Sequence, residues 1–106
     1  MKHYTVAEMD VTDPSWVRDY VASVTGMVER RGGRYLSRTT RIEKVEGERT
    51  APQVIVLIEW PSKEVADEFY DSEEYRHFRE ARGRGARNEF LLVAGEDVNG
   101  LARMDE

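Results

Sequence analysis

Val54-Ile55-Val56-Leu57-Ile58-Glu59-Trp60-Pro61-Ser62 is the stretch on which the fold turns. Its unbroken apolar run is mostly β-branched, is short, and stops at a proline, which reads as a strand. Because successive strand residues point to opposite faces, the run sends apolar groups to both sides of its sheet. Upstream, Arg34 to Val45 is rich in Tyr, Leu, Thr, Ile and Val and predicts another strand, with Gly47 and Pro52 bracketing the turn between the two. Downstream, Ser62 is placed to cap a helix carrying Val65, Ala66, Phe69 and Tyr70. Ser72 is placed to cap a continuation carrying Tyr75, Phe78 and Ala81. The pattern predicts a helix broken near Asp71-Ser72 and ended by Gly83 and Gly85, then a last strand over Phe90 to Ala94. On the N-terminal side, Lys2 to Val11 alternates loosely as a first strand. Asp13-Pro14 then opens a helix over 14–31, with Val17, Tyr20, Val21, Val24 and Val28 at helical spacing. Arg30 and Arg31 suit its last turn, and Gly32-Gly33 stops it.

The element order is β-α-β-β-α-β. This is an α+β, ferredoxin-like arrangement: an antiparallel four-stranded sheet with two helices on one face. Val54 to Ile58 and Phe90 to Val93 are read as two adjacent strands with both faces apolar, so something must cover the outer face. A second copy of the same sheet is the simplest cover, and a homodimer is expected. At 106 residues the chain has the size of one domain. It divides into a folded domain over residues 1–96 and a charged tail over 97–106. Lys and Arg number 16 against 21 Asp and Glu, a net charge of −5 that disfavours nucleic acid as a partner. Cysteine is absent, which excludes disulfides and thiol chemistry. No apolar run has the length of a signal peptide core or a membrane span, so no membrane association is expected and the cytoplasm is the default location.

Gly32-Gly33-Arg34-Tyr35-Leu36, Glu46-Gly47, Val56 to Ser62 and Asp71-Ser72-Glu73-Glu74-Tyr75 resemble the domain of unknown function 1330 family over residues 2 to about 96. The resemblance implies the dimeric α+β barrel superfamily, in which two ferredoxin-like protomers pack sheet against sheet. Relatives there include small monooxygenases, haem-degrading enzymes and chlorite dismutase-like proteins. The chain departs from the family pattern at Thr39-Thr40, where glycines are more usual, and in its basic Arg82 to Arg87 segment. The family carries no agreed catalytic residues to transfer. By superfamily analogy the resemblance implies a cofactor-free enzyme or a binder of a small organic acid. Its pocket would lie between sheet and helices, lined by Tyr35, Trp60, Phe69, Tyr70 and Tyr75. The alternative is a non-catalytic dimeric interaction module with no small-molecule ligand. Whether the chain is an enzyme stays open at this stage.

Glu59 is the candidate catalytic residue, because a carboxylate in a strand built for burial is costly to hold without a partner. It shares a side with Ile55 and Leu57. A strand-end salt bridge to Arg34, Arg38 or Arg41 is the plainer reading. Arg34 and Arg38, four residues apart on a strand, are expected to share a face and to offer a substrate carboxylate a two-point grip. Tyr35, Trp60, Tyr70 and Tyr75 supply the expected walls of the ligand site. His77 lies one helical turn after Glu73, and His3 stands apart from both, which makes no metal signature. Neither a metal nor another cofactor is expected. Arg76, Arg79, Arg82, Arg84 and Arg87 read as a solvated helix end rather than a phosphate-binding loop. The RNA-recognition fold shares this element order, but its basic, glycine and paired-aromatic signature is missing from Gln53 to Trp60.

Overall fold

Asp13 accepts a hydrogen bond from the Ser15 N–H at 3.0 Å, and Pro14 fixes the first turn, so the helical segment begins where its sequence places it. That turn is 3-10 (Pro14–Trp16) and runs into α1 (Val17–Arg30). The computed structural model describes residues 1–102. Around α1 stand β1 (His3–Val11), β2 (Arg34–Thr39), β3 (Val54–Trp60), α2 (Lys63–Asp71), α3 (Glu73–Gly85) and β4 (Ala86–Ala94). The four strands form one antiparallel sheet in the order β2-β3-β1-β4. This is the ferredoxin-like order, with the expected second helix divided into α2 and α3.

Each helix boundary has a local cause. Gly32, at φ +80°, takes the left-handed conformation that ends α1. Its N–H reaches the Glu29 carbonyl and the Gly33 N–H reaches the Val28 carbonyl, both at 3.0 Å, the paired bonds of a Schellman cap. The Ser62 hydroxyl caps α2 at the Val65 N–H and the Ser72 hydroxyl caps α3 at the Tyr75 N–H. Ser72 is extended, at φ −66° and ψ 149°, which separates the two helices. α3 runs through Gly83 and ends at Gly85. The Gly85 carbonyl accepts from the N–H groups of Thr12 and Asp13 and from the Trp16 indole. A Cβ at Gly85 would collide with that indole, so the junction joins the start of α1 to the end of α3.

Val56, Ile58 and Trp60 of β3 and Ala7 and Met9 of β1 pack against Val24, Met27 and Val28 of α1, Ala66 and Phe69 of α2, and Tyr75 of α3. The opposite face is apolar as well. Register places Tyr4, Val6, Leu57, Ile55, Leu91 and Val93 there, with Leu91 55% and Val93 45% exposed. Three expectations are corrected. β3 and β4 are not adjacent, because β1 lies between them and contributes Val6 to the shared apolar strip. β2 stops at Thr39 rather than Val45: Thr39 pairs with Ile55, and β3 begins one residue before it, so nothing remains for Arg41 onward to pair with. β4 begins at Ala86 rather than Phe90, because Ala86 to Asn88 find partners in Val11 to Met9. Of the expected tail, Asp97 accepts from the N–H groups of Asn99, Leu101 and Ala102, and residues 103–106 lie outside the described residues. No helix among the described residues is long and apolar enough to cross a membrane.

Candidate active site between sheet and helices

A cavity of about 710 Å³ lies between the core face of the sheet and the helices, within the size range of small-molecule sites. Ala7, Met9, Val54, Val56 and Ile58 form its sheet side. Val24, Val28, Phe69 and Tyr75 form its helix side. It reaches solvent past Arg38, Thr40 and Arg41, all exposed.

Arg38 is held at this opening in a defined pose. Its guanidinium lies over the Tyr35 ring at 4.3 Å, and Nη1 donates to Thr25 Oγ1 at 2.9 Å. Stacking and hydrogen bonding restrict a side chain that would otherwise carry much rotamer freedom. Among the described residues no carboxylate pairs with it, and no other hydrogen bond occupies its remaining N–H groups. Burial raises the Tyr35 hydroxyl above the usual phenol range, against the opposing pull of Arg38.

The sequence-derived site residues divide between the two faces. Tyr35, Arg38, Tyr70 and Tyr75 line the cavity. Glu59, Arg34 and Trp60 do not. Glu59 faces outward with Tyr4 and Leu57, where Arg34 lies 3.4 Å away and Lys2 3.6 Å away and the Tyr4 hydroxyl donates at 3.4 Å. The carboxylate expected beside the pocket is thus a salt-bridged group on the other side of the sheet. Arg34 and Arg38 do not share a face, because the pairing register shifts between Tyr35 and Ser37. The extra residue reverses the alternation, leaving Arg34 opposite Glu59 and Arg38 opposite Val56. Trp60 is 1% exposed and sits in the core, its indole N–H donating to Thr5 Oγ1 at 2.8 Å.

Sequence reasoning missed two residues here: Tyr20, which lines the cavity, and Arg82, which stands behind Tyr75 without lining it. Tyr20 meets Tyr75 with their hydroxyls 2.5 Å apart, and Arg82 donates from Nη2 to the Tyr75 oxygen at 3.3 Å. Arg82 is 3% exposed and lies over the Phe90 ring at 4.0 Å. Its sequence neighbourhood groups it with the solvated basic run, which the burial corrects. Its helical position carried the contrary signal, since 75, 78 and 82 form one stripe with Tyr75 and Phe78. Burial pushes the Tyr20 hydroxyl well above the usual phenol range; Tyr75 adds to this and Arg82 opposes it. His77 is exposed on α3 beside Phe78. No cluster of three His, Asp or Glu side chains able to hold a metal occurs among the described residues.

The four antiparallel strands with helices on one face are the fold of the ferredoxin-like α+β barrel proteins. A protein of unknown function from Rhodopseudomonas palustris superposes with a TM-score of 0.72 at 13% identity, covering 87% of this chain and 80% of that one. SnoaB, a cofactor-independent oxygenase from Streptomyces nogalater, gives 0.62 at 14% identity over 92% of this chain and 95% of its own. An antibiotic biosynthesis monooxygenase gives 0.50 at 15% identity over 89% and 97%. At these identities the likeness is one of fold. The family model of the domain of unknown function DUF1330 matches residues 2–96, and the chain belongs to that family. No curated protein matches the sequence.

Proposed function

We propose that the protein binds a small, partly apolar organic acid in the cavity between sheet and helices. Arg38 takes the carboxylate, and Tyr35, Tyr70 and Tyr75 form part of the walls. The observation that carries this reading is the pose of Arg38. A guanidinium anchored on Tyr35 and Thr25, with free donors and no carboxylate partner among the described residues, stands at the opening of an apolar cavity. Such a fork is matched to a carboxylate by two parallel hydrogen bonds. SnoaB, which has the same fold, is a cofactor-independent oxygenase, and turnover of the bound acid without a cofactor is the enzymatic form of this reading.

Thermal unfolding in the presence of a panel of aromatic and aliphatic carboxylates tests it. A ligand at a hundred times its dissociation constant adds about 2.7 kcal/mol, several degrees for a domain of this size. Arg38→Gln is expected to weaken binding about 10- to 100-fold, the worth of a charge-assisted bond. A panel without any shift would favour a non-catalytic module instead.

The same reading makes the protein a homodimer through the outer sheet face. The strip of Val6, Leu57, Leu91 and Val93 supplies the apolar centre. Glu8 and Glu89 lie directly opposite each other at one end of it, a like-charge pair that is unfavourable alone. Lys2 and Arg34 stand at the other end around Glu59, leaving an excess of one positive charge there. A two-fold axis running across the strands lays each basic end on the partner's acidic end.

A further inference from the structure

Resting on the acid-binding reading, we propose that Tyr20, backed by Tyr75 and Arg82, forms a second polar subsite in the same cavity that takes an ionised phenol or enol oxygen. The ligand is then an acid carrying such a hydroxyl, one group at Arg38 and the other at Tyr20.

The direction of the hydrogen bonds carries the argument. A guanidinium only donates, so the Tyr75 oxygen accepts from Arg82 Nη2; it keeps a second lone pair, and either hydroxyl can donate across the Tyr20–Tyr75 contact. One hydroxyl proton of the pair is thus left without an acceptor among the described residues, and it is least costly on the less buried Tyr20, with Tyr75 donating to the Tyr20 oxygen. Tyr75 is fully buried, whereas Tyr20 is half-buried, and both line the cavity. Tyr20 is thus the terminus from which the chain of donors reaches an occupant. The charge behind the chain has no counter-charge among the described residues. Among the described residues Arg82 is buried with no carboxylate partner, and its Nε has no hydrogen-bond partner there. A lone buried cation of this kind favours an anion placed within its field. Of the carboxylates on the cavity wall, Asp67 is neutralised by Lys63, and Asp71 stands exposed at the rim. An ionisable ligand hydroxyl loses its proton to solvent as it binds, and the resulting oxyanion accepts the Tyr20 O–H.

4-Hydroxy-3-nitrobenzoate tests the proposal, since its absorbance reports whether its phenol is ionised, and benzoate serves as the ligand without a hydroxyl. The phenol of the dye bound to the wild-type protein should ionise about one pH unit or more below its midpoint in solution, a tenfold change in its ionisation constant. In Tyr20→Phe, folded as judged by its circular dichroism melt, the bound dye's midpoint should return toward the solution value. Tyr75→Phe, which cuts the chain behind Tyr20, should do the same. Benzoate binding with an unshifted dye midpoint would overturn the subsite and leave the acid-binding reading standing. A shift that survives both substitutions would also overturn it, and failure of both ligands to bind would overturn both readings.

Discussion

Trp60→Ala is expected to lower the unfolding free energy by about 3–5 kcal/mol, the usual cost of removing a large aromatic side chain from a core. The indole is 1% exposed and packs against Phe69 with ring centroids 5.2 Å apart. Gly33 sits against it so closely that a Cβ there would lie 2.9 Å from the Trp60 ring. The cap of α1 and the start of β2 therefore rest on this side chain, and their backbone cannot follow a shrinking core without breaking the cap. The lost bond to Thr5 adds about 1 kcal/mol. Against a total stability of about 5–15 kcal/mol this is a large share. Urea unfolding followed by circular dichroism measures it, with an unchanged m-value marking a change in stability alone. Trp60→Phe keeps most of the packing and should cost much less. Equal costs for the two variants would show that the ring's volume is not what holds this part of the core.

Leu57→Lys should dissociate the proposed dimer. Leu57 lies at the centre of the outer apolar strip, opposite Val6, and a lysine there would bury an unpaired charge in each copy. The cost is about 3–5 kcal/mol, or about 10²- to 10⁴-fold in the dissociation constant. Sedimentation velocity at micromolar concentration should show the wild type as a dimer and the variant as a monomer with an intact circular dichroism spectrum. A monomeric wild type would remove the dimer from the account. A dimeric, stable Leu57→Lys protein would place the interface on another surface.

The elements that rest on local chemistry were legible in the sequence. The apolar run of β3, the serine caps of α2 and α3 and the glycine stop of α1 each act within a few residues, and each appears where its residues place it. The ends of β2 and β4 were not legible, because a strand lasts only as long as its partner, and the partner is chosen by tertiary pairing. The bulge after Tyr35 had no such local mark. Leu36 and Ser37 are ordinary strand residues, yet the extra residue sends Arg34 and Arg38 to opposite faces. The separation of Glu59 from Trp60 was open to inference, since neighbours on a strand point to opposite sides and cannot line one pocket. Arg82 was hidden by its company: four other arginines surround it in sequence, and only its place on the Tyr75 and Phe78 stripe distinguishes it.

The central claim is that an organic acid occupies the cavity and meets Arg38. Titrating benzoate into the ¹⁵N-labelled protein and following its amide spectrum tests this most directly. The account predicts saturable shifts centred on Tyr35, Arg38, Val24 and Val56, all lost or strongly weakened in Arg38→Gln. Absence of saturable shifts at millimolar benzoate, or shifts confined to Val6, Leu57 and Leu91 on the outer face, would contradict it.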